Sequence, residues 1–214
     1  MKKPKLSAKD LPGKDFKGRA LNLVPYDGAR LFRAFQTRHP DPLGYVPARN
    51  RFSDPRIQPD PKDNPSDVFA TVFFGASVET CVLETIIRDT GVGTSGTAIP
   101  VSKSYMQSWS VAEVSCASPL RLLDLRADGC LQNKIPTDAV RAKSHLLGQL
   151  WAYAMHEHPD QPDGIMFSSR LNEETNVAVF DRAMPKMTVV SDQPLFDYRT
   201  ELAGVLTKYR VGFV

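Results

Sequence analysis

Nowhere in the 214 residues is there a run of about 18 apolar residues, the length that a membrane-crossing helix needs. Cysteine is scarce: Cys81, Cys116 and Cys130 are an odd number, and no two of them form a C-x-x-C pair. That excludes a disulfide framework and predicts free thiols in a reducing compartment. No apolar stretch follows the first lysines before Leu21, so no secretory leader is read there and a cytoplasmic location is expected. Of the four histidines, only His156 and His158 lie close together. A helix would turn those two rings to different sides, and no H-x-x-x-H accompanies them, so no metal is predicted. The G-x-S-x-G elbow and a Gly-Lys-Ser/Thr phosphate loop are also missing, which removes two familiar hydrolase and nucleotide-binding signatures. What is present is ordinary. With 42% apolar and 24% charged residues, disorder, collagen and coiled coil are excluded, and the length suits one domain.

Charge is nearly balanced overall, 27 Lys+Arg against 24 Asp+Glu, but it is unevenly placed. Lys2, Lys3, Lys5, Lys9, Lys14, Lys17 and Arg19 crowd into the first 19 residues with only Asp10 and Asp15 against them, so the rest of the chain is slightly acidic. A basic arm over 1–19 would bind phosphate backbones or an acidic partner, or else be a solvated, frayed terminus; the second is the expectation. A nucleic-acid module would need basic and aromatic residues interleaved on the body, and none are seen, so direct nucleic-acid binding is not expected.

Seven of the 17 prolines lie between Pro40 and Pro65, which rules out a regular helix or a central strand there. Leu43, Tyr45, Val46 and Phe52 predict that this long loop is packed on the body. Regular elements are predicted at Leu31–Gln36 (LFRAFQ, strand) and Val68–Phe74 (VFATVFF, buried strand). A helix over Val78–Asp89 capped by Ser77 follows, then strands at Ser108–Cys116 and Leu120–Leu125. A long helix is predicted from Thr137 to about His158, stopped by Pro159. Strands at Gly164–Ser168, Asn176–Asp181 and Met187–Val190 come next, and an amphipathic helix over about 197–209 closes the chain. The elements alternate without βαβ regularity or repeats, so the class is α+β, one domain.

Gly91-Val92-Gly93-Thr94-Ser95-Gly96 spells G-x-G-x-x-G, but it follows a helix and opens none, so it is read as a flexible loop rather than a dinucleotide fingerprint. Arg33 stands mid-strand between Phe32 and Phe35, either snorkelling at an edge or aimed into a cleft at an anion. Arg49 and Arg51 stand in the Pro-rich loop; their guanidiniums suit a pyrophosphate if brought together, and are otherwise plain loop charges. Glu84 falls between Cys81 and Ile87 on a helical wheel. It is therefore either a half-buried carboxylate that something pairs with or uses, or an ordinary helix-edge glutamate. Ser168-Ser169-Arg170 ends a strand, where a hydroxyl contacts a ligand or simply shapes a turn. Taken alone, these residues describe a cleft with arginines, one carboxylate and a serine.

The ordered set LFRAF, RNRFSDP, VFFGASVETCVLETIIR, LRLLDL, DGIMFSSR and NVAVF, running from about Leu31 to Phe180, resembles the RES domain, named for an arginine, a glutamate and a serine. The resemblance implies an ADP-ribosyltransferase-like mixed β-sheet core with flanking helices, forming a catalytic domain over 20–214. It also implies the bacterial role of a toxin that consumes NAD+ and is held by an Xre-type helix-turn-helix antitoxin. By position, the family's two arginines fall on Arg33 and Arg51, its glutamate on Glu84 and its serine on Ser169, with Ser168 one residue away and Arg170 following. A tyrosine frequent in the family falls on Phe73, and the glycines before the second arginine are replaced by Pro47-Ala48-Arg49-Asn50.

The resemblance implies cleavage of the nicotinamide–ribose bond through an oxocarbenium-like centre. Glu84 would stabilise the cation, Arg33 and Arg51 would hold the pyrophosphate, and Ser169 would orient the ribose or nicotinamide end. Phe73 and Arg170 complete the expected NAD-binding set. NAD+ would be a consumed substrate, with no metal. Water, phosphate or a protein side chain would accept the ADP-ribose; the expanded loop over 40–65 favours a protein acceptor. A ribonuclease-like toxin would need a proton-shuttling histidine, and none of the four lies in a recognisable motif.

Overall fold

Strand TVFFG (Thr71–Gly75, β3) is buried on nearly every residue and lies inside the sheet it belongs to. That placement follows from its composition, because β-branched and aromatic side chains fill both faces of a pleated strand. The computed structural model describes residues 6–27, 30–39, 41–88, 90 and 96–214. Seven further strands join β3: β1 (Leu23–Tyr26), β2 (Leu31–Gln36), β5 (Trp109–Cys116), β6 (Leu120–Asp124), β7 (Gly164–Ser168), β8 (Thr175–Phe180) and β9 (Met187–Pro194). Their order across the sheet is β1-β6-β7-β8-β3-β2-β5-β9, antiparallel throughout except for β6 beside β7. A bulge at Glu113/Val114 interrupts the β5–β9 register. A separate parallel pair is formed by β4 (Ile99–Val101) and β10 (Val211–Phe213).

The join between β2 and β3 matters most for function. It is reduced to a single partnership, Phe32 opposite Gly75, whereas β2 pairs with β5 over all six of its residues. Beyond that point the two strands splay apart. The side-chain period of two sends Leu123, Ile165, Ala178 and Phe180 into one apolar cluster with Phe16, Phe52 and Trp151. Leu122, Met166, Val177 and Val179 go into another with Leu31, Phe35 and Phe74. A third cluster lies under α1 (Val78–Val82) and α6 (Arg199–Lys208) and gathers Val82, Ile86, Trp109, Val111, Leu202 and Val205.

The α+β, single-domain mixed sheet agrees with the sequence reading, with several corrections to its elements. Ser77 caps α1 as expected, its hydroxyl accepting from Thr80 N. The second half of that helix, Leu83–Ile87, is a π turn in which Arg88 N donates to Leu83 O. The long helix from Thr137 is broken: α4 spans Asp138–Arg141 and α5 spans Leu146–His156, with Ala142 extended between them and no side-chain cap from Thr137. The stretch Arg141-Ala142-Lys143-Ser144-His145 has no apolar side chain larger than alanine with which to hold a continuous turn against the core. Two further helices, α2 (Lys103–Gln107) and α3 (Gly129–Gln132), are too short to show a periodicity.

The expected frayed arm is anchored at three points within residues 6–19, while Lys9, Lys14 and Lys17 stay exposed. Phe16 is 2% exposed and meets Trp151 edge-on at 5.1 Å, while Leu6 and Leu11 lie against the same cluster. Trp151 Nε1 donates to Asp10 O at 2.7 Å, and the buried His158 ring lies 3.2 Å from Phe16 O. Lys2, Lys3 and Lys5, and the loop Gly91–Ser95 of the rejected fingerprint, lie outside the described residues.

The Pro-rich loop is packed on the body, as its apolar residues predict: Leu43 and Phe52 of the expected set hold it, and Ile57 joins them. Phe52 and Ile57 are buried, whereas Tyr45 and Val46 are exposed. Arg33 Nη1 and Nη2 donate to Pro42 O (2.5 Å) and Gly44 O (2.9 Å), and fully buried Asp54 accepts a two-pronged ion pair from Arg56. Among the described residues, no helix is long and apolar enough to cross a membrane, and no group of three metal-ligating side chains occurs.

Candidate active site

The splay between β2 and β3 opens a hollow of about 630 Å³, lined by Arg33 to Gln36 from one strand and Thr71 to Phe73 from the other. Across Asn50, Phe73 and Thr85 it adjoins a deeper pocket of about 280 Å³. Together they make one elongated cleft, of a size that suits a small molecule.

Glu84 enters the deeper pocket from the π turn, a distortion that often accompanies a functional side chain. Its carboxylate is anchored on one oxygen. Ser169 Oγ donates to Oε1 at 2.8 Å and Asn176 Nδ2 approaches the same atom at 3.4 Å. Among the described residues, Oε2 meets only Arg88 Nη1, at 3.4 Å. The pocket thus holds a carboxyl group with one oxygen fixed by Ser169 and Asn176 and the other turned towards Arg88.

The floor is strongly basic. Arg51, Arg88 and Arg170 all line it, with His145 beside them. Arg51 is 7% exposed, and both of its terminal nitrogens are buried without a hydrogen-bond partner among the described residues. A guanidinium left this way is costly, and burial together with the Arg170 and Arg88 charges pushes its pKa down to about 10. The fold itself aims Arg51 here. Gln149 Nε2 donates to Asn50 O at 2.8 Å, and Gly148 lets the loop backbone lie directly on α5, since a Cβ there would meet Arg51 O at 2.6 Å. Burial and the same arginines push the His145 imidazole down as well.

Of the residues singled out from sequence, Glu84, Arg51, Phe73 and Arg170 are brought together around the deeper pocket. Ser169 stands behind Glu84, 1% exposed, with its hydroxyl spent on the carboxylate and on Leu171 N; Ser168 is the serine that lines the cavity. Arg33 does not line the deeper pocket with Arg51. It lines the adjoining hollow with two donors committed to loop carbonyls. Arg49 is turned away, donating to Ile57 O. Arg88, His145 and Asn176 were not singled out. Arg88 carried a signal, standing four residues beyond Glu84 on the same helical face. His145 carried none, because the break before α5 was not legible.

The class of site is a cleft in a splayed mixed sheet, lined by a carboxylate and by a buried arginine whose terminal nitrogens have no hydrogen-bond partner among the described residues. The comparisons with known proteins narrow that class. The model of the RES domain matches residues 30–201, so the chain belongs to the RES domain family. It is 46% identical over 128 residues to the probable toxin y4kH of Sinorhizobium fredii (strain NBRC 101917 / NGR234), a match covering 60% of this chain and all of that one. Its fold is similar to that of a chain in the crystal structure of the M. tuberculosis MbcT–MbcA toxin–antitoxin complex. The TM-score is 0.56 at 12% identity, over 85% of this chain and 92% of that one.

Proposed function

We propose that the protein is the toxin of a toxin–antitoxin pair and that it cleaves NAD+ at the nicotinamide–ribose bond, passing ADP-ribose to an acceptor. Membership of the RES domain family and the naming of its relatives as toxins support the first half. One observation carries the second: the unpaired, buried Arg51 guanidinium in the same pocket as Glu84. A pyrophosphate supplies what Arg51 lacks, two oxygens in the plane of its fork, with Arg88 and Arg170 beside it. Arg33 then borders the hollow available to the rest of the dinucleotide, with the Phe73 ring at the junction.

Glu84 is suited to the bond-breaking step. Nicotinamide leaves as a neutral amine and needs no general acid, while positive charge grows at the ribose carbon. A carboxylate fixed by Ser169 and Asn176 stabilises that charge without reorganising. Ser169 acts through Glu84 and is a positioning residue. A protein side chain is the acceptor we favour, because the exposed Tyr45 and Val46 of the Pro-rich loop stand at the rim of the outer hollow; water or phosphate would instead make the enzyme an NAD+-depleting one. The partner would be an antitoxin of the helix-turn-helix, Xre-like kind.

The test is direct. NAD+ labelled in its adenine half is incubated with purified protein, with and without cell lysate, and the products are resolved by mass spectrometry. Free nicotinamide should appear, with the label on protein, on ADP-ribose or on a phosphorylated product, and Glu84→Gln should lower the rate at least 100-fold. NAD+ that survives intact in both conditions refutes the reading.

A further inference from the structure

The break between α4 and α5 places His145 at the head of α5, where its side chain does not cap the helix. It lines the pocket that holds Glu84, and its ring makes no hydrogen bond among the described residues. We propose that His145 is the base that takes the proton from the acceptor hydroxyl during ADP-ribose transfer; this rests on the NAD+ reading above.

Two requirements point to it. Glu84 must stay ionised while positive charge builds on the ribose, so it cannot also take the acceptor's proton at that moment. A second, neutral base is needed in the same pocket. The groups that face His145 are Arg51 from the Pro-rich loop, Arg88 after the π turn, Arg170 from the β7–β8 turn and Glu84 itself. Arg141, four residues earlier on α4, is engaged with Glu173. Burial, these arginines and the positive end of α5 all disfavour the imidazolium and so favour the neutral, proton-accepting ring.

The balance of the step is simple. The ribose–nitrogen bond breaks and its electron pair leaves on neutral nicotinamide. The acceptor oxygen forms the new bond to the same ribose carbon, and its proton passes to the His145 ring. A pyrophosphate seated on the arginines offsets their charge and raises the basicity of His145 when substrate is bound. Product departure removes that support, and the proton is shed to solvent. The acceptor class follows: an O–H group, either water or a hydroxyl side chain.

The experiment follows NAD+ consumption by the full chain, as wild type, H145Q and H145N, from pH 5 to 8, with and without sodium azide. Azide is a nucleophile that carries no proton and so needs no base. The wild type should lose rate towards acid, with the limb at higher pH in kcat than in kcat/KM. Both variants should lose about 100-fold in kcat, change KM less than threefold, lack the limb, and recover at least tenfold with azide. A variant that keeps the wild-type kcat and pH limb overturns the proposal, and so does a loss confined to KM or indifferent to azide. In those cases the NAD+ reading stands; a wild type that leaves NAD+ intact sinks both.

Discussion

Replacing Arg51 with methionine should stabilise the free protein and abolish its response to ligand. The guanidinium is 7% exposed, has no partner at either terminal nitrogen, and is pushed down to about 10 by burial and by Arg170 and Arg88. At about 1.4 kcal/mol per pH unit, the fold disfavours the charged form by roughly 3 kcal/mol. Because the folded pKa lies below that of the unfolded chain, the destabilisation is fully present at pH 7 and is relieved only as pH rises through about 10. Methionine has similar reach and no charge, so Arg51→Met should gain about 1–3 kcal/mol, a rise of roughly 3–9 °C in Tm for a chain of this size. ADP-ribose keeps the pyrophosphate and cannot lose nicotinamide, which makes it a suitable probe. At 100 times its Kd it should stabilise the wild type by about 2.7 kcal/mol and leave the variant unmoved. Melting curves with and without ADP-ribose should therefore show the variant's lead closed or reversed once ligand is added. A variant less stable than wild type without ligand, or one that gains the same shift with it, would refute the argument that Arg51 is a charge held in readiness for an anion.

Three other perturbations follow from the same geometry. Gly148→Ala sets a methyl group 2.6 Å from Arg51 O, so it should cost about 1–3 kcal/mol and weaken ADP-ribose binding at least tenfold, read by denaturation and calorimetry. Ser169→Ala removes the 2.8 Å bond to Glu84 and should lower kcat about tenfold with KM little changed, whereas Ser168→Ala should act mainly on KM. Phe16→Ala should destabilise by about 3–5 kcal/mol in urea titrations, an outcome that a dangling terminus would not give.

The strands could be read from the sequence because their signal is local. LFRAFQ and GIMFS have the predicted bounds, and TVFFG and TNVAVF lie within a few residues of them. Ser77 could be read as a cap for the same reason. The π turn could not, since one extra residue in a helical turn leaves the apolar spacing of Val82, Leu83, Ile86 and Ile87 almost untouched. Packing of the N-terminal residues was hidden behind their lysines: Phe16 is one aromatic in a run of charge, and only Trp151 and His158, distant in sequence, show where it goes. At the site, Glu84 and Arg51 gained their roles from the resemblance to the RES domain, since on their own they read equally as a helix-edge glutamate and a loop charge. Arg33 did too, but its donors meet carbonyls nine and eleven residues along, a closure that no spacing rule announces.

The eight-stranded sheet does not close on itself, so two backbone edges face outward. An open edge is a template on which another chain can grow. Here each is a poor one. β1 is four residues long and contains Pro25, and β9 is kinked by the bulge at Glu113/Val114 and ends on Asp192-Gln193-Pro194. The molecule therefore offers no long, flat ladder along which copies of itself could polymerise, and stays dispersed at concentrations where a flat edge would begin to stack.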